Sequence, residues 1–357
     1  MRVGIITIPD FNNYGNRLQN YALQEMVKKA GSIPVSYVPY KPNIFKKIIK
    51  TILGKEFTGS VNYKIKRLLR LNEFIKFDNK NVTTVAIGNT IYSSQLSEQC
   101  DFFIAGSDQI WNPMWYTGYS FLDFAENSKK MAYAASFGCD KIPDNAVEVY
   151  TKYLESFRKI TVREESGREI IEKLLNRQVE VVPDPTLALS SEEWKMIEKK
   201  PIGLKKKKSY ILTYFLGEMD SEREKIISSI KENNCMDLYD IMSQEKNGVY
   251  ISGPAEFVYL IDNADIVLTD SFHACVFSII FGKKFIVFDR LGKGNEMGNR
   301  IYTLLKMFEL EKCKFHDSFN PYEYDKERTD RIMEIRRNEA QNILNSMIKM
   351  VEYDSKV

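Results

Sequence analysis

The first part of the chain alternates short apolar runs with segments of helical spacing. The run RVGIITI at 2–8 is rich in β-branched residues and predicts a buried strand. The polar loop PDFNNYGN follows, and RLQNYALQEMVKKAG at 17–31 then has apolar residues at helical spacing before Gly31. The run IPVSYVPY at 33–40 predicts the next strand. This strand–helix–strand opening is typical of a parallel α/β sheet.

The same alternation continues along the chain and starts afresh near Ser209. Further strands of the first series are predicted in TTVAI, FFIAG, KMAYAASFG and the openings of ITVREESGREIIEKLL and VEVVPDPTLAL. The second series begins with YILTYFLG and contains the strand–helix–strand unit DIVLTD, FHACVFSIIFG and KKFIVFD at 265–289. A long amphipathic helix is predicted near the end of the chain, at 326–353.

Two series of this kind predict two doubly wound domains that face each other across a cleft. The N-terminal domain is expected at 1–200 and the C-terminal domain at 205–325, with the lysine run Lys205–Lys208 between the two series and the last helix in 326–357. Open α/β sheets bind ligands beyond the carboxyl ends of their strands. The loops that follow strands are therefore the first places to look for functional residues.

Composition places the chain among ordinary globular proteins. Its 357 residues suit two domains, and 44% hydrophobic with 28% charged residues is an average content. The sequence contains no run of 18 apolar residues, so no transmembrane helix is expected. The opening segment MRVGIITIPD lacks the features of a signal peptide. The five cysteines are scattered and form no C-x-x-C pair. These features favour a cytoplasmic protein without disulfides or a zinc site.

Positive charge is concentrated in residues 41–80. This insert holds eleven Lys or Arg and three Asp or Glu, an excess of +8 in a chain whose net charge is +3. Within it, IFKKIIKTILGK at 44–55 has apolar residues on one helical face and lysines on much of the other. Two interpretations are open: a surface helix with one face on the core, or a helix that holds the protein at the anionic inner face of the plasma membrane.

Two loops of the first domain carry candidate ligand-binding residues. The loop NNYGN at 12–16 either provides only a turn and a helix cap or presents Asn13, Tyr14 and Asn16 to a ligand. The loop AGSDQIWNP at 105–113 closes an apolar strand and contains Asp108 and Trp111. A carboxylate there either caps the next helix or binds a sugar hydroxyl, and Trp111 and Trp115 either fill the core or stack on a sugar.

Two further loops carry cationic candidates. Arg163 ends a strand in TVREESG, where it either binds an anion or pairs with the glutamates that follow. The strand DIVLTD leads through Ser271 to a predicted helix start at His273, one of only two histidines in the chain. A helix N-terminus holds anions well, and a histidine there can exchange a proton near neutral pH. The alternative is a histidine that caps the helix or packs between the domains.

Several common chemistries find no support in the sequence. The chain has no G-x-x-x-x-G-K-[ST], H-E-x-x-H or G-x-S-x-G motif and no histidine cluster, so no metal and no cofactor are expected. The segment GKGNEMG at 292–298 is not a dinucleotide fingerprint. The basic insert has few interleaved aromatic residues, so no nucleic-acid partner is expected.

Taken together and in order, seven segments resemble the polysaccharide pyruvyl transferase family over about residues 3–312. The segments are NYGNRLQNYALQ, FIAGSDQIWNP, AYAASFG, VREESG, VVPDPTLAL, TDSFHACVFSIIFGKKFIVF and NRIYTLLKMFEL. The resemblance implies two Rossmann-like domains similar to those of GT-B glycosyltransferases, with the last helix packed back on the first domain. It also implies transfer of a pyruvyl group from phosphoenolpyruvate to two hydroxyls of a sugar in a surface polysaccharide precursor, which forms a cyclic ketal and releases phosphate.

The resemblance assigns roles to residues that the loops had already singled out. It implies that Asp108 and His273 are catalytic, and that Arg163 binds the donor. Some members of the family have an arginine at the position of Ser271, which leaves one contact to the anionic donor unassigned here. Arg300 is the candidate replacement for that arginine, and Ser271 is also expected to bind the donor. The acceptor is expected near Asn13, Tyr14, Asn16 and Trp111, and it could be lipid-linked. The acceptor sugar and the division of acid and base roles stay open.

Two other functions fit the same fold. A nucleotide-sugar glycosyltransferase would need an acidic residue on the helix after the Ser271 turn, and ACVFSIIFG has none; Glu296 is the nearby substitute. A non-catalytic sugar-binding protein is the other alternative, and turnover with phosphoenolpyruvate separates it from both enzymes.

Overall fold

The computed structural model describes residues 1–52, 59–88, 94–204, 209–244, 248–292, 298–315 and 325–354. Three features named above lie outside these residues: the predicted linker Lys205–Lys208, the end of the basic segment at 53–55, and residues 293–297 with Glu296.

The described residues form parallel strands and surrounding helices in nearly strict alternation. The strands are β1 (Arg2–Ile6), β2 (Ile33–Val38), β3 (Thr84–Ala86), β4 (Phe102–Ala105), β5 (Lys130–Ala135), β6 (Lys159–Val162), β7 (Glu180–Val181), β8 (Tyr210–Tyr214), β9 (Asp237–Asp240), β10 (Ile266–Thr269) and β11 (Lys284–Val287). The helices are α1 (Tyr14–Lys29), α2 (Ile44–Ile52), α3 (Val61–Asn81), α4 (Ser94–Ser97), α5 (Val147–Glu155), α6 (Glu165–Leu175), α7 (Ser191–Lys195), α8 (Ser221–Asn234), α9 (Pro254–Asp262), α10 (Phe272–Ile280), α11 (Gly298–Phe308) and α12 (Lys326–Asp354).

The strands make two parallel sheets. The first has the order β3-β2-β1-β4-β5-β6-β7 and the second the order β11-β10-β8-β9. In the first sheet β1 pairs with both β2 and β4, so that Gly4 lies opposite Val35 and Phe103. The direction of strand succession therefore reverses between β1 and β4, and in the second sheet between β8 and β10. Ligands bind at such reversal points in open α/β sheets, and the predicted doubly wound fold class is confirmed.

The first helix begins earlier than its apolar spacing predicts. It starts at Tyr14 because the side chain of Asn13 accepts a hydrogen bond from the backbone amide of Asn16, which caps the helix. This first turn lies against the second domain. The Tyr14 ring stacks on Phe257 of α9 at 4.5 Å between centroids, and its hydroxyl donates to the Ser252 carbonyl.

The last helix returns to the first domain. Ala340, Leu344 and Met347 of α12 are buried in one cluster with Val3 and Ile5 of β1. An apolar stripe with this spacing must find a covering surface, and the first sheet provides it. None of the helices in the described part of the chain combines the length and the apolar character needed to cross a membrane.

Candidate active site

A cavity of about 350 Å³ lies between the carboxyl ends of the two sheets. Its walls come from loops after β1, β4, β10 and β11, from the start of α1 and from α11. The ionisable side chains that line it are Asp10, Asp108, His273, Arg290 and Arg300. A second cavity of about 260 Å³ adjoins it and shares Phe272, Arg290 and Arg300. The site thus opposes two carboxylates of the first domain to cations of the second.

Asp108 is held at the wall of the cavity by the loop after β4. Its Oδ2 accepts a hydrogen bond from Asn16 Nδ2 at 3.1 Å, and its Oδ1 lies 3.5 Å from Arg163 Nη2. The loop approaches the backbone of β5 so closely that a Cβ on Gly106 would lie 2.2 Å from the Tyr133 carbonyl oxygen. Burial raises the pKa of Asp108, but nearby positive charges, led by Arg163, outweigh burial and hold that pKa below its ordinary value. Asp108 is therefore ionised, and its carboxylate caps no helix.

Asp184 lies beneath the cavity and organises the residues around it. Its Oδ1 accepts hydrogen bonds from the backbone amide and the hydroxyl of Thr186, at 3.0 and 2.7 Å. Its Oδ2 accepts from Arg163 Nη1 at 2.7 Å and from Ser107 Oγ at 3.0 Å. Burial raises the pKa of Asp184, but His273 and Arg163 more than offset burial, so this pKa lies far below the ordinary value. A fully buried carboxylate with so many donors stays ionised and rigid.

His273 reaches from the second domain onto this carboxylate. Its Nε2 lies 3.8 Å from Asp184 Oδ2, and this buried nitrogen has no hydrogen-bond partner among the described residues. The other side of the ring lies against α1, where a Cβ on Gly15 would be only 1.8 Å from His273 Nδ1. The ring is therefore held between Gly15 and Asp184, and the residue lines the cavity. Nε2 faces the Asp184 carboxylate, and a histidine in this position can exchange a proton.

Arg163 occupies a different position from the one its proposed role requires. Its guanidinium is buried among the carboxylates of Asp184, Asp108 and Glu164, and it lies 4.6 Å from the centre of the Phe272 ring. Burial lowers the pKa of Arg163, but the three carboxylates outweigh burial and raise that pKa above its usual value. Arg163 does not line the cavity. It therefore neutralises and positions the acids, and we correct its interpretation as a donor-binding residue.

Arg300 lines the cavity as the sequence suggested, and Arg290 joins it. Oriented with its oxygen towards Arg300, the Gln109 amide accepts hydrogen bonds from Nη2 and Nη1 at 2.7 and 3.0 Å. Burial and the nearby charge of Arg163 lower the pKa of Arg300 to about 10, so it keeps its charge at neutral pH. Arg290 Nη2 donates to the Asp270 carbonyl at 3.2 Å. Two guanidiniums at one wall suit a ligand with more than one anionic group.

The residues expected at the acceptor divide into two groups. Asn13, Asn16 and also Ser271, expected at the donor, line the cavity. Tyr14 and Trp111 are buried in aromatic clusters, where Trp111 stacks on Phe121. We therefore correct their interpretation as acceptor-binding residues, because neither presents a surface to a ligand.

Three contributors to the site were missed in the sequence, and a fourth, Trp115, was named there only as an alternative. Trp115 is 45% exposed and lines the cavity, whereas Trp111 is buried. Asp10, Arg290 and Asp184 also belong to the site. Each follows a strand by a few residues, and Asp184 lies in VVPDPTLAL. The position of an acidic or basic residue just after a strand was thus a usable signal for all three.

The arrangement provides the parts of a group transfer between an anionic donor and a hydroxylated acceptor. Arg290, Arg300 and His273 belong to the second domain, and the carboxylates of Asp10 and Asp108 belong to the first. Within the described ranges, no group of three or more His, Cys, Asp and Glu side chains has the geometry of a metal site.

Two solved structures show how the fold compares with those of known proteins. The UDP-GlcNAc 2-epimerase of Methanocaldococcus jannaschii is 12% identical, with 98% of this chain and 100% of that chain covered at a TM-score of 0.50. The glycosyltransferase SnogD of Streptomyces nogalater is 10% identical, with 98% and 99% covered at a TM-score of 0.45. At 12% identity the likeness to the epimerase concerns the fold alone, and together with the two parallel sheets it fits a GT-B-like pair of Rossmann-like domains.

Comparison of the sequence with families is more specific. No curated protein matches the chain significantly. The profile of the polysaccharide pyruvyl transferase family matches residues 13–291, a stretch that begins at the cap of α1 and ends just beyond Arg290. This stretch contains Asp108, Asp184 and His273. Because the match covers most of the chain, the protein belongs to the polysaccharide pyruvyl transferase family.

Proposed function

We propose that the protein transfers the pyruvyl group of phosphoenolpyruvate to two hydroxyls of a hexose or N-acetylhexosamine unit, with release of phosphate. The observation that carries this proposal is the opposition of His273 and Arg300 to Asp108 across one cavity. Membership of the family supports the reaction class. The acceptor would be a precursor of a surface polysaccharide, handled on the cytoplasmic side of the membrane.

The second domain suits the donor. Phosphoenolpyruvate carries a carboxylate and a phosphate, and Arg290 and Arg300 can bind such groups through charge-assisted hydrogen bonds. The cap residue Ser271 makes no side-chain hydrogen bond to the first turn of α10. The backbone amides and the positive end of this helix therefore favour an anion at the same wall. These groups together would bind both ends of the donor.

The reaction needs one proton on carbon and one hydroxyl addition before phosphate leaves. A proton adds to the methylene carbon of phosphoenolpyruvate, and the first acceptor hydroxyl bonds to the central carbon and gives up its own proton. Phosphate then departs with the electron pair of its C–O bond. The second hydroxyl closes the ketal on the same carbon, and its proton leaves with the phosphate. One phosphoenolpyruvate and one diol thus give one ketal and one phosphate.

His273 is the proposed proton donor in this scheme. The carboxylate of Asp184 at 3.8 Å attracts the positive charge that the ring carries when it holds a second proton. Asp108 is ionised and lies at the opposite wall, where it orients the acceptor hydroxyl and receives its proton as the C–O bond forms. The roles can also be exchanged, with His273 assisting the departure of phosphate.

The acceptor side is formed by the first domain. Trp115 presents a half-exposed indole that can stack on the apolar face of a sugar ring, and its Nε1 is already bound to the Gln109 carbonyl. Asn13 and Asp10 line the same part of the cavity and can bind sugar hydroxyls.

Phosphate release from phosphoenolpyruvate tests the proposal. A panel of hexoses, N-acetylhexosamines and their lipid-linked analogues would be assayed with the native protein, His273→Ala and Ser278→Ala. Ser278 is buried on the same helix and donates to the Ala274 carbonyl away from the cavity, so it controls for disturbance of α10. Loss of a general acid predicts a fall in kcat of about 10³-fold for His273→Ala, and a change of less than about 3-fold for Ser278→Ala.

Two results would contradict the proposal. One is phosphate release by His273→Ala at nearly the native rate. The other is no release with any acceptor while a UDP- or GDP-sugar binds tightly in calorimetry, which would favour the glycosyltransferase alternative.

A further inference from the structure

Helix α2 exposes much of the apolar face that a surface helix ordinarily buries. Phe45, Ile48 and Ile49 are exposed, with Phe45 at 74% and Ile49 at 56%, while Ile44 is partly buried. Thr51 on the other side of the helix is buried, and Lys47 is partly buried. An amphipathic helix on a globular protein normally buries its apolar face. The orientation of α2 therefore leaves an apolar surface that solvent does not favour.

The neighbouring helix also exposes apolar side chains. Val61, Ile65 and Leu69 of α3 follow one another at intervals of one helical turn, and all three are exposed. Helices α2 and α3 contact each other. Together the exposed side chains of these two helices, which we call the α2–α3 face, exceed the scattered apolar residues of an ordinary surface, and such faces mark sites of association.

The charge around the α2–α3 face indicates what covers it. Lys46 and Lys50 are exposed on α2, which contains no acidic residue. The surrounding insert at 41–80 carries an excess of +8. A second copy of this chain placed symmetrically on the face would bring two such excesses together, which is unfavourable. Apolar side chains flanked by lysines suit a membrane surface with anionic lipids.

A cavity of about 220 Å³ lies between the α2–α3 face and the candidate active site. Lys47 of α2 and Arg67 and Arg70 of α3 line it, and Asp10 lines both this cavity and the active-site cavity. Arg70 is buried, and its Nη1 donates to the Ile241 and Tyr250 carbonyls at 3.2 and 3.3 Å, which holds its positive charge at the wall of the cavity. A cavity lined by three basic side chains is suited to an anionic group.

We propose that the α2–α3 face lies on an anionic membrane surface, and that the basic cavity behind it binds the phosphate link of a lipid-linked acceptor. The sugar of that acceptor then extends past Asp10 into the active-site cavity, while its lipid stays in the membrane. The part that concerns the acceptor rests on the proposed pyruvyl transfer. Docking on the membrane does not require turnover.

Sedimentation with lipid vesicles tests the docking. The vesicles are phosphatidylcholine alone, or equal parts of phosphatidylcholine and phosphatidylglycerol. The native protein is expected to bind only the second kind. The double variant Phe45→Asp/Ile49→Asp should weaken binding at least about 100-fold, because two large side chains no longer enter the lipid. Lys46→Gln/Lys50→Gln should weaken binding about 30-fold.

Matched variants distinguish the face from general surface effects. Ile202→Asp changes an apolar residue that is 99% exposed elsewhere, and Lys225→Gln/Lys231→Gln removes two exposed charges from α8. Both should bind anionic vesicles like the native protein. Equal binding to the two kinds of vesicle, no binding to either, or equal loss in the matched variants would overturn the docking. A native dimer that Phe45→Asp/Ile49→Asp dissociates, without vesicle binding, would assign the face to a second copy instead.

The acceptor is tested separately in detergent, where docking plays no part. The sugar that supports phosphate release would be compared as the free sugar and as its farnesyl diphosphate conjugate. Arg67→Gln should raise the KM of the conjugate about 10-fold and leave that of the free sugar unchanged, with partial recovery in Arg67→Lys. Equal effects on both acceptors would overturn the assignment of the basic cavity. Absence of phosphate release with every acceptor contradicts the pyruvyl transfer itself, and leaves the vesicle result standing.

Discussion

Replacing Gly15 with alanine places a methyl group in the space of the His273 ring. Gly15 lies in the first turn of α1, and a Cβ built on it would be 1.8 Å from His273 Nδ1. Ordinary contact begins at 3.4 Å, so the ring has to withdraw by about 1.6 Å, the difference between these two distances. Gly15 does not adopt a positive φ angle, so the helix backbone at this position can accommodate alanine without strain.

The size of the effect follows from the displacement. A misplacement of about 1 Å in a reacting group can lower the rate about 10²-fold, so kcat of Gly15→Ala should fall at least that much. The better helix propensity of alanine gains up to about 1 kcal/mol, which offsets part of the strain in the displaced ring. The variant should therefore stay folded and lose turnover.

A double-mutant cycle on phosphate release provides the assay. If Gly15→Ala acts through the ring, it should have no further effect in a His273→Ala background, where the space is empty. Circular dichroism and thermal unfolding would be measured on all four proteins. Two results would refute the view that residue 15 is glycine because α1 packs against His273. One is native turnover in Gly15→Ala, and the other is a fall in kcat by the same factor in both backgrounds.

Three further predictions follow from the site. Asp184 and Asp108 have lowered pKa values in the folded protein, so their ionised forms stabilise it. This stabilisation is fully present above about pH 4, the ordinary pKa of a carboxyl group, and is lost as the pH falls below that value. Urea unfolding at different pH values should show this loss. Asp184→Asn should lower the free energy of unfolding by about 3 kcal/mol at neutral pH and should make it less dependent on pH. The same pH dependence in the variant and the native protein would contradict an ionised Asp184. Arg300→Met should raise the KM of phosphoenolpyruvate by about 10-fold or more while the acceptor KM stays within about 3-fold, and the opposite pattern in initial rates would place the donor elsewhere. Trp115→Ala should weaken acceptor binding by about 1 kcal/mol and leave the stability unchanged. Trp111→Ala should lower the free energy of unfolding by about 3–5 kcal/mol. Thermal melts in which Trp115→Ala is the less stable variant would contradict a core position for Trp111.

The fold was largely predictable because its signals are local. Short β-branched runs between amphipathic segments predict parallel strands with crossover helices, and every predicted strand of the second series is present. The start of α1 was the main error in the elements. The sequence NNYGN contains typical turn residues, but capping by the Asn13 side chain turns Tyr14, Gly15 and Asn16 into the first helical turn.

The site was predictable only as far as each residue could be placed at a strand end. That reasoning singled out Asp108 and His273, whereas Arg300 was suggested by the family resemblance and by its place at a helix start; all three line the cavity. It could not distinguish Arg163 from a ligand-binding arginine, because the burial of Arg163 among three carboxylates depends on Asp184, which lies 21 residues away. It also could not separate Trp111 from Trp115, since the two are four residues apart in a loop whose path decides which of them is buried.

The outward orientation of α2 is another feature that the sequence alone could not decide. Periodicity at 44–55 gives the apolar face but not the direction in which it points, so the sequence left open a core-facing helix and a membrane-facing one. The structure exposes Phe45 and Ile49 and partly buries Ile44 of the same face, and the membrane-facing interpretation stays a proposal. The exposure of each side chain depends on tertiary packing, here the contact with α3, which periodicity does not show.

Transfer of carbon from phosphoenolpyruvate to the acceptor tests the central claim most directly. Phosphoenolpyruvate labelled at its central carbon would be incubated with the acceptor that supports phosphate release, and the sugar product examined by NMR and mass spectrometry. The account predicts the label in a ketal carbon bonded to two sugar oxygens, one label for each phosphate released, and none with His273→Ala. Phosphate released while the label stays in free pyruvate, or a sugar product that contains no label, would contradict pyruvyl transfer.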